Sequence, residues 1–233
     1  MEISIWSDIR CPFCYIGKRK FEAALKDFAH SDKIQIAWKS FELDPSLETQ
    51  TDMNAIEHFI SSKGIEKEQA MQMFEGATQM AKDAGIDFNL EKSVPANSLK
   101  AHRVLHFAKT KGPVDALKEA LLSAQLVEGK NIDDIEFLAV LGADHGLDAA
   151  EVRTMLASDD FTYEVRQDQM EARNLGISGV PFFVLNNKYG VSGAQPTEVF
   201  LETLENAWAA YEKENSGLDI IEGKTCDVSG NCD

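Results

Sequence analysis

Positive charge is in short supply in this chain. Its 23 lysines and arginines face 39 aspartates and glutamates, for a formal net charge of −16 over 233 residues. A chain of that sign repels phosphate backbones and gains nothing from counterion release, which argues against nucleic acid as a partner. Long hydrophobic runs are missing too. None approaches the ~18–20 residues of a membrane span, and the N-terminus has neither the basic region nor the apolar core of a secretory signal. The expectations are no membrane association and a cytoplasmic location. Cysteine is rare, at four residues. In a compartment that keeps thiols reduced, a close pair reads as redox-active or metal-binding before it reads as a structural staple. Against these absences stands a 44% share of hydrophobic residues, enough for a sizeable core in one large domain or in a small domain carrying an insertion.

The chain opens on "MEISIWSDIRCPFCYIGKRKFEAAL". Ile3 and Ile5 alternate as in a strand, and Phe21, Ala24, Leu25 and Phe28 follow at helical spacing. In "KIQIAWKSF", residues 33–41, Ile34, Ile36 and Trp38 share one face of a second strand. Strand, helix and strand make a β-α-β unit whose helix suits a right-handed crossover between parallel strands. From about residue 52 to 157 the pattern is helical. Ala70, Met73, Phe74, Ala77, Met80, Ala81 and Ala84 form a stripe that Gly85 ends. Asn97 then offers an N-cap, Pro113 a first-turn proline, and Leu117, Leu121 and Ala124 a further stripe. These Met-rich stripes read as core. Strand character returns in "VPFFVLNNKYGVSG", with a hairpin turn at Asn186, Asn187 and Lys188. A last helix runs from Pro196 to about Glu214, with Phe200, Leu204 and Trp208 on one face. The division expected is a first half over 1–45, an all-helical insertion over 46–157, a second half over 158–214, and a tail over 215–233 whose Gly, Ser, Asn and Asp predict mobility.

The chemistry centres on Cys11 and Cys14. Pro12 favours the first helical position, which makes Cys11 the N-cap and Cys14 the third helical residue. Unpaired backbone N–H groups and the positive end of the helix dipole favour a thiolate at Cys11, so its pKa is expected below the ~8.5 of a free cysteine. Arg10 works in the same direction if close, and Asp8 against it. Cys11 is thus the expected nucleophile, and Cys14, one turn inward and more buried, the thiol that resolves a mixed disulfide. Zinc, the competing use of a C-x-x-C, needs four ligands, and no second C-x-x-C or nearby Cys/His pair completes the set. His102 and His106 lie four apart on a helix but lack the glutamate and third ligand of a metal motif, so neither a metal nor another cofactor is expected. Gly179-Val180-Pro181 reads either as an ordinary turn into a strand or as a loop that leaves the Val180 backbone free to pair with an extended peptide beside Cys11.

The stretches "SDIRCPFCYIGKRKFE", "NSLKAHRVLHFAK" and "GISGVPFFVLNNKYGVSGAQP" resemble the DsbA-like branch of the thioredoxin superfamily, and especially its FrnE-type cytoplasmic members. The resemblance runs over most of residues 1–210. It implies an α/β, thioredoxin-like fold split by a large helical insertion, a cis peptide before Pro181 beside the redox pair, and a role for Val180 and Pro181 in binding substrate. The implied activity is thiol–disulfide exchange or isomerisation on protein thiols and disulfides, with glutathione or a thioredoxin-type protein as electron donor. Periplasmic relatives commonly place histidine between the cysteines. Phe13 stands here, so strong oxidising power does not carry over. His102 and Arg103 lie in a family-like stretch; they read as facing the active-site groove or as internally satisfied residues of an inserted helix.

Cys226 and Cys232, at C-x5-C spacing, have a parallel in the accessory dithiol of some FrnE-type proteins. They read as an electron relay to Cys11 and Cys14 or as a latch closing a small loop. Two rival functions share the implied fold or its groove. One is a glutathione-dependent isomerase or transferase, related to hydroxychromene-carboxylate isomerases and kappa-class glutathione transferases, which typically place serine where Cys11 stands. The other is a non-catalytic holdase using the helical insertion as an apolar groove.

Overall fold

A computed structural model of the protein describes residues 1–215. Strand β1 (Glu2–Ser7) leads into helix α1 (Pro12–Asp27), and a 3-10 turn at Ser31–Lys33 returns the chain to β2 (Gln35–Ser40). Seven helices follow: α2 (Ala55–Lys63), α3 (Lys67–Asp83), α4 (Leu99–Lys109), α5 (Asp115–Leu126), α6 (Ile135–Asp144), α7 (Ala149–Ala157) and α8 (Thr162–Asn174). The hairpin β3 (Phe182–Leu185) and β4 (Tyr189–Ser192) and helix α9 (Thr197–Asn215) complete the described chain. The sheet order is β2-β1-β3-β4, with β1 parallel to β2 and the other neighbours antiparallel. This is the thioredoxin-like layout with a helical insertion that the resemblance implies.

β1 lies inside the sheet and is buried on both faces from Ile3 to Ser7. Ile3 and Ile5 enter a core shared with Phe21, Phe183, Leu185, Phe200 and Leu204, while Trp6 packs with Ala172 and Ile177. Aromatic edges lock the first face: Phe183 and Phe200 stand at 4.7 Å and 69°, the edge-on arrangement that ring quadrupoles favour. On the other face the Trp6 indole donates to the Asp168 carbonyl at 2.9 Å, so its one polar atom is satisfied where it is buried. The hairpin turns on Asn186 and Asn187, both at positive φ, which asparagine tolerates better than most residues. Helix α1 lies close against the end of β3. A Cβ built on Gly17 would stand 2.9 Å from the Pro181 ring, so only glycine lets the two approach this closely.

Several local expectations shift. Ser98, not Asn97, is the N-cap of α4, and the Asn97 side chain instead accepts the Leu99 N–H while donating to the Leu47 carbonyl. Pro113 precedes the α5 N-cap, Val114, rather than occupying the first turn. β2 begins only at Gln35, because Ser31–Lys33 winds into the 3-10 turn, and Ile34 and Ile36 are half-buried. Helix α8 covers a face of the sheet for which the sequence offered no clear stripe; its buried residues are only Val165, Asp168 and Ala172. Among the described residues no helix is long and apolar enough to cross a membrane, and no group of three or more His, Cys, Asp and Glu is arranged to hold a metal ion.

Candidate functional site

Cys11 sits at the N-cap of α1 with extended backbone (φ −84°, ψ 114°), and Pro12 occupies the first turn. That conformation turns the Cys11 carbonyl to receive the Cys14 N–H at 3.0 Å, starting the helix and placing the second sulfur one turn on. Both thiols are free and almost wholly buried, at 4% and 1% exposure, so the predicted contrast between an open first and a covered second cysteine is slight. The Cys11 thiol donates to the Val180 carbonyl at 3.5 Å, across 169 positions of sequence. The Val180–Pro181 peptide is cis, and the Pro181 carbonyl is held by the Gly193 N–H at 2.8 Å. Cys11, Cys14, Val180 and Pro181 are therefore one constellation. Cys226 and Cys232 lie outside the described residues.

The electrostatics correct one expectation. The Cys11 thiol is pushed well above its usual range rather than below it. The neighbouring Cys14 side chain is the largest cause, burial comes next, and the Asp8 carboxylate adds to both; only the Cys14 backbone N–H pulls the other way. A negative charge on Cys11 would stand against the neighbouring sulfur and the Asp8 carboxylate in a place with little water to screen it. Sequence places the helix terminus, but not the desolvation nor the buried carboxylate behind it.

That carboxylate is fully enclosed. Asp8 is 0% exposed and lies on the β1–α1 connection, where its oxygens accept the backbone N–H groups of Leu43 at 2.9 Å and Arg10 at 3.3 Å. Burial works against its charge, but His102, the Leu43 N–H and the Arg10 charge outweigh it and hold the pKa at about 2. His102 Nε2 stands 3.5 Å from Asp8 Oδ1, at the limit of hydrogen-bond distance and poorly aligned for one, and neither ring nitrogen has another partner. Burial holds His102 below the usual histidine range, which leaves an aspartate beside a neutral ring near neutral pH. Of the pair read as facing the groove or satisfied internally, Arg103 takes the second course, donating to the carbonyls of Met155, Ser158 and Asp160. His102 joins the buried group behind the cysteines.

Lys118 completes that group and was missed in the sequence. It is 1% exposed on α5, and its ammonium stands 5.4 Å from the centre of the Trp38 ring. Burial lowers its pKa to about 8, with the charges of Cys14 and Asp8 resisting the fall. A signal existed: Lys118 lies among Leu117, Leu121 and Leu122, so a cation stands inside an apolar stripe. The arrangement can carry out thiol–disulfide exchange, with two adjacent thiols, a backbone carbonyl facing the first, and buried charge of both signs beneath them.

Residues 2–205 match the DSBA-like thioredoxin domain. Over 209 residues the chain is 27% identical to the uncharacterized protein YwbO of Bacillus subtilis, covering 88% of this chain and 96% of that protein. A crystal structure described as a "probable DsbA oxidoreductase" from Streptomyces coelicolor superposes with a TM-score of 0.86 at 38% identity, covering 100% of this chain and 98% of that one. The cytosolic disulfide reductase DsbM of Pseudomonas aeruginosa shares the fold at a TM-score of 0.58 and 18% identity, covering 92% and 98% of the two chains.

Proposed function

The chain belongs to the DSBA-like thioredoxin domain family, and from that premise we propose that it is a thiol–disulfide oxidoreductase acting on polypeptide substrates through Cys11 and Cys14. The observation that carries this reading is the Cys11 thiol at a helix N-terminus, bonded to the Val180 carbonyl, with Cys14 one turn away. In the reducing direction, the Cys11 sulfur attacks one sulfur of a substrate disulfide. An S–S bond forms between enzyme and substrate, and the other substrate sulfur leaves as a thiolate. Cys14 then attacks the Cys11 sulfur, releasing the second substrate thiol and leaving an enzyme disulfide. Two electrons have passed to the substrate, and the reverse sequence oxidises it.

Val180 links binding to activation. While the Cys11 thiol donates to the Val180 carbonyl, it is held protonated. An extended substrate that takes that carbonyl with its own main-chain N–H removes the thiol's acceptor and brings its disulfide to the sulfur at the same moment. Pro181, pressed against Gly17, holds the carbonyl in place. We read the protein as a FrnE-type member of its family working in the cytoplasm, with glutathione or a thioredoxin-type protein returning electrons to it. DsbM, which shares the fold, is known as a cytosolic reductase and has been seen with glutathione. Cys226 and Cys232 are proposed as an accessory dithiol that exchanges with Cys11–Cys14.

Reduction of insulin disulfides tests the reading. Cys11→Ser is expected to abolish turnover, and Cys14→Ser to accumulate mixed disulfides through Cys11. Full activity in Cys11→Ser would sink the assignment, and undiminished glutathione transfer or isomerisation by that variant would put the glutathione-dependent rival in its place. For the accessory pair, the double variant Cys226→Ser/Cys232→Ser should slow reoxidation or rereduction of the first pair by an external partner. Unchanged kinetics, with no Cys11–Cys226 or Cys11–Cys232 crosslink in a Cys14→Ser background, would remove the relay.

A further inference from the structure

Each edge of a sheet carries backbone groups with no strand to pair with, and the protein treats its two edges differently. On the outer side of β2 its own side chains take them: the Ser40 N–H donates to Asp168 Oδ2 at 2.7 Å, and the Trp38 carbonyl accepts from Lys109 Nζ at 2.7 Å. That edge is closed to another strand. The edge at β4 is open. The Gly193 N–H bonds the Pro181 carbonyl, and bonded positions alternate along an antiparallel ladder, so Val191 also faces β3 while Gly190 and Ser192 turn their N–H and C=O outward. Both of these residues are exposed. Gln195 Nε2 takes the Ser192 carbonyl at 2.9 Å; among the described residues the Gly190 N–H and C=O and the Ser192 N–H have no partner.

Gly190 does not have the positive φ that would require glycine. Its missing side chain instead makes room for an aromatic ring, since a Cβ there would stand 3.2 Å from Phe182. The edge therefore presents bare backbone with a ring lying across it. Its upper end leads to the thiols, because the bond from Gly193 to Pro181 ties β4 to the loop whose Val180 carbonyl faces Cys11. The fold itself leaves this edge free. β4 runs parallel to β1, and α9 packs on the same face of the sheet as α1, with Phe21 and Phe200 in one core. The step β1–α1–β2 moves away from β3, so a strand reached through α9 by a crossover of the same hand would move from β4 toward β3, where no place is free.

We infer that the free edge of β4 is a strand-addition site for substrate: an extended stretch of unfolded polypeptide, a few residues from the cysteine under attack, pairs its main chain with Gly190 and Ser192. The inference rests on the thiol–disulfide reading of Cys11 and gives that site a second, distal contact. Neighbouring strands lie about 4.8 Å apart, so a chain passes from Val180 across β3 and β4 in about 10 Å, or three to four extended residues. Four more match the length of β4. β4 rises toward Gly193, so a chain that descends along it after the cysteine pairs antiparallel, the more stable arrangement. The stretch is therefore C-terminal to the attacked cysteine. Main-chain bonds are indifferent to sequence, and a folded protein seldom has a bare strand to offer, so the edge selects unfolded clients over native ones. A β-branched or aromatic residue opposite Gly190 gains the Phe182 ring as well.

The test uses the full chain and peptides that each carry one cysteine in disulfide linkage to a chromogenic thiol. The short peptide has about six residues; the long one adds about eight β-prone residues after them, enough to cross to β4 and pair with it. Two further peptides repeat the long sequence with alternate amides of the extension N-methylated, in either phase. The long peptide should exceed the short in kcat/KM about tenfold, mainly through KM, since about three main-chain bonds are added. N-methylation should remove that gain in one phase and spare it in the other, as for a strand bonded along one side. In Ser192→Pro, which removes an outward donor and no bond of the sheet, the long-to-short ratio should fall about threefold or more. A direct reading comes from Cys14→Ser, where the Cys11 sulfur displaces the chromogenic thiolate and retains the peptide as a mixed disulfide. Amide exchange at Gly190 and Ser192, followed by NMR, should slow about tenfold or more with the long peptide and not with the short. That measurement decides the matter even if Ser192→Pro does not fold. Equal kcat/KM for long and short peptides, or a gain that survives methylation in both phases, would overturn the inference while leaving the thiol chemistry standing. Slow exchange at both amides in the free protein would overturn it too: sedimentation as a dimer would give the edge to a second copy, and as a monomer to residues after Asn215. If neither peptide, and no small aliphatic disulfide, is reduced at all, it is the thiol–disulfide reading itself that fails.

Discussion

Replacing Lys118 with Met should stabilise the protein at neutral pH. The lysine is held charged in a place that opposes charge: its pKa falls from the ordinary 10.5 to about 8, a shift that corresponds to about 3 kcal/mol. The folded value lies below the unfolded one, so between these limits the unfolded chain binds the extra proton and stability rises with pH. Below pH 8 the whole penalty is present; from pH 8 to 10.5 it is relieved. Methionine matches the lysine stem in shape and carries no charge. It forfeits the contact of the ammonium with Trp38, worth about 1 kcal/mol, so the net gain at pH 7 is about 2 kcal/mol. Urea denaturation of both proteins at a series of pH values between 7 and 10.5 measures it. The variant's advantage should shrink as pH rises, and the wild-type-minus-variant difference isolates this residue from every other titrating group. A second reading is kinetic. The Cys14 charge and the Lys118 ammonium attract each other, so the variant should release mixed disulfides more slowly. A variant less stable than wild type at pH 7, with a difference that does not change with pH, would show that the ammonium is well paired and would refute the account.

Gly17→Ala sets two effects against each other. Alanine is favoured over glycine within a helix by about 1 kcal/mol, yet its Cβ would lie 2.9 Å from the Pro181 ring, and overpacking of this kind costs about 1–3 kcal/mol. The expected result is a small loss of stability with a disproportionate fall in kcat/KM, as the Val180 carbonyl moves from Cys11; insulin reduction beside thermal melting checks it, and full activity would show that the loop yields freely. Asp8→Asn should lower the pKa of the Cys11 thiol, because the carboxylate raises it, and the ultraviolet absorbance of the thiolate during pH titration reads this directly. The same carboxylate titrates at about 2 instead of 3.8 when folded, so it contributes about 2 kcal/mol that is present above pH 4 and lost as pH falls toward 2. Asp8→Asn should lose that part of the acid dependence, and an unaltered acid transition would count against it.

The sheet and the helix start that carries Cys11 and Cys14 were legible because their signals are local. Alternation marked Ile3 and Ile5, Pro12 marked the start of α1, and "NNK" marked the hairpin turn. Helix α8 was not, since it presents few apolar residues to the sheet and its central buried side chain is charged: Asp168 binds the Ser40 N–H and His106 instead of filling space. The electrostatics of the site were the least legible part. Asp8, three residues before Cys11, was visible as a neighbour, but its effect depends on complete enclosure, and that enclosure is made by Leu43 and His102 from distant segments. Lys118 belongs to another helix altogether, and nothing in the spacing of the sequence connects it to Cys14. Arg10 was expected to depress the thiol pKa, whereas it is not among the causes that act on Cys11 and instead lines a cavity beside Phe13.

The split of the sheet across the chain has a consequence for the birth of the molecule. β1 pairs with β3 through Ile3 and Leu185, and the Cys11 thiol finds its acceptor only at Val180. At ordinary translation speeds of about 5–20 residues per second, roughly ten to thirty seconds pass between the emergence of the two cysteines from the ribosome and that of the segment that covers them. During that interval both thiols are carried on a nascent chain whose central strand has no neighbour on one side. They are open to any oxidant, disulfide or metal they meet. A chain with this topology therefore carries its two thiols uncovered for as long as the helical insertion takes to be made, and meets its chemical surroundings before it meets its own fold.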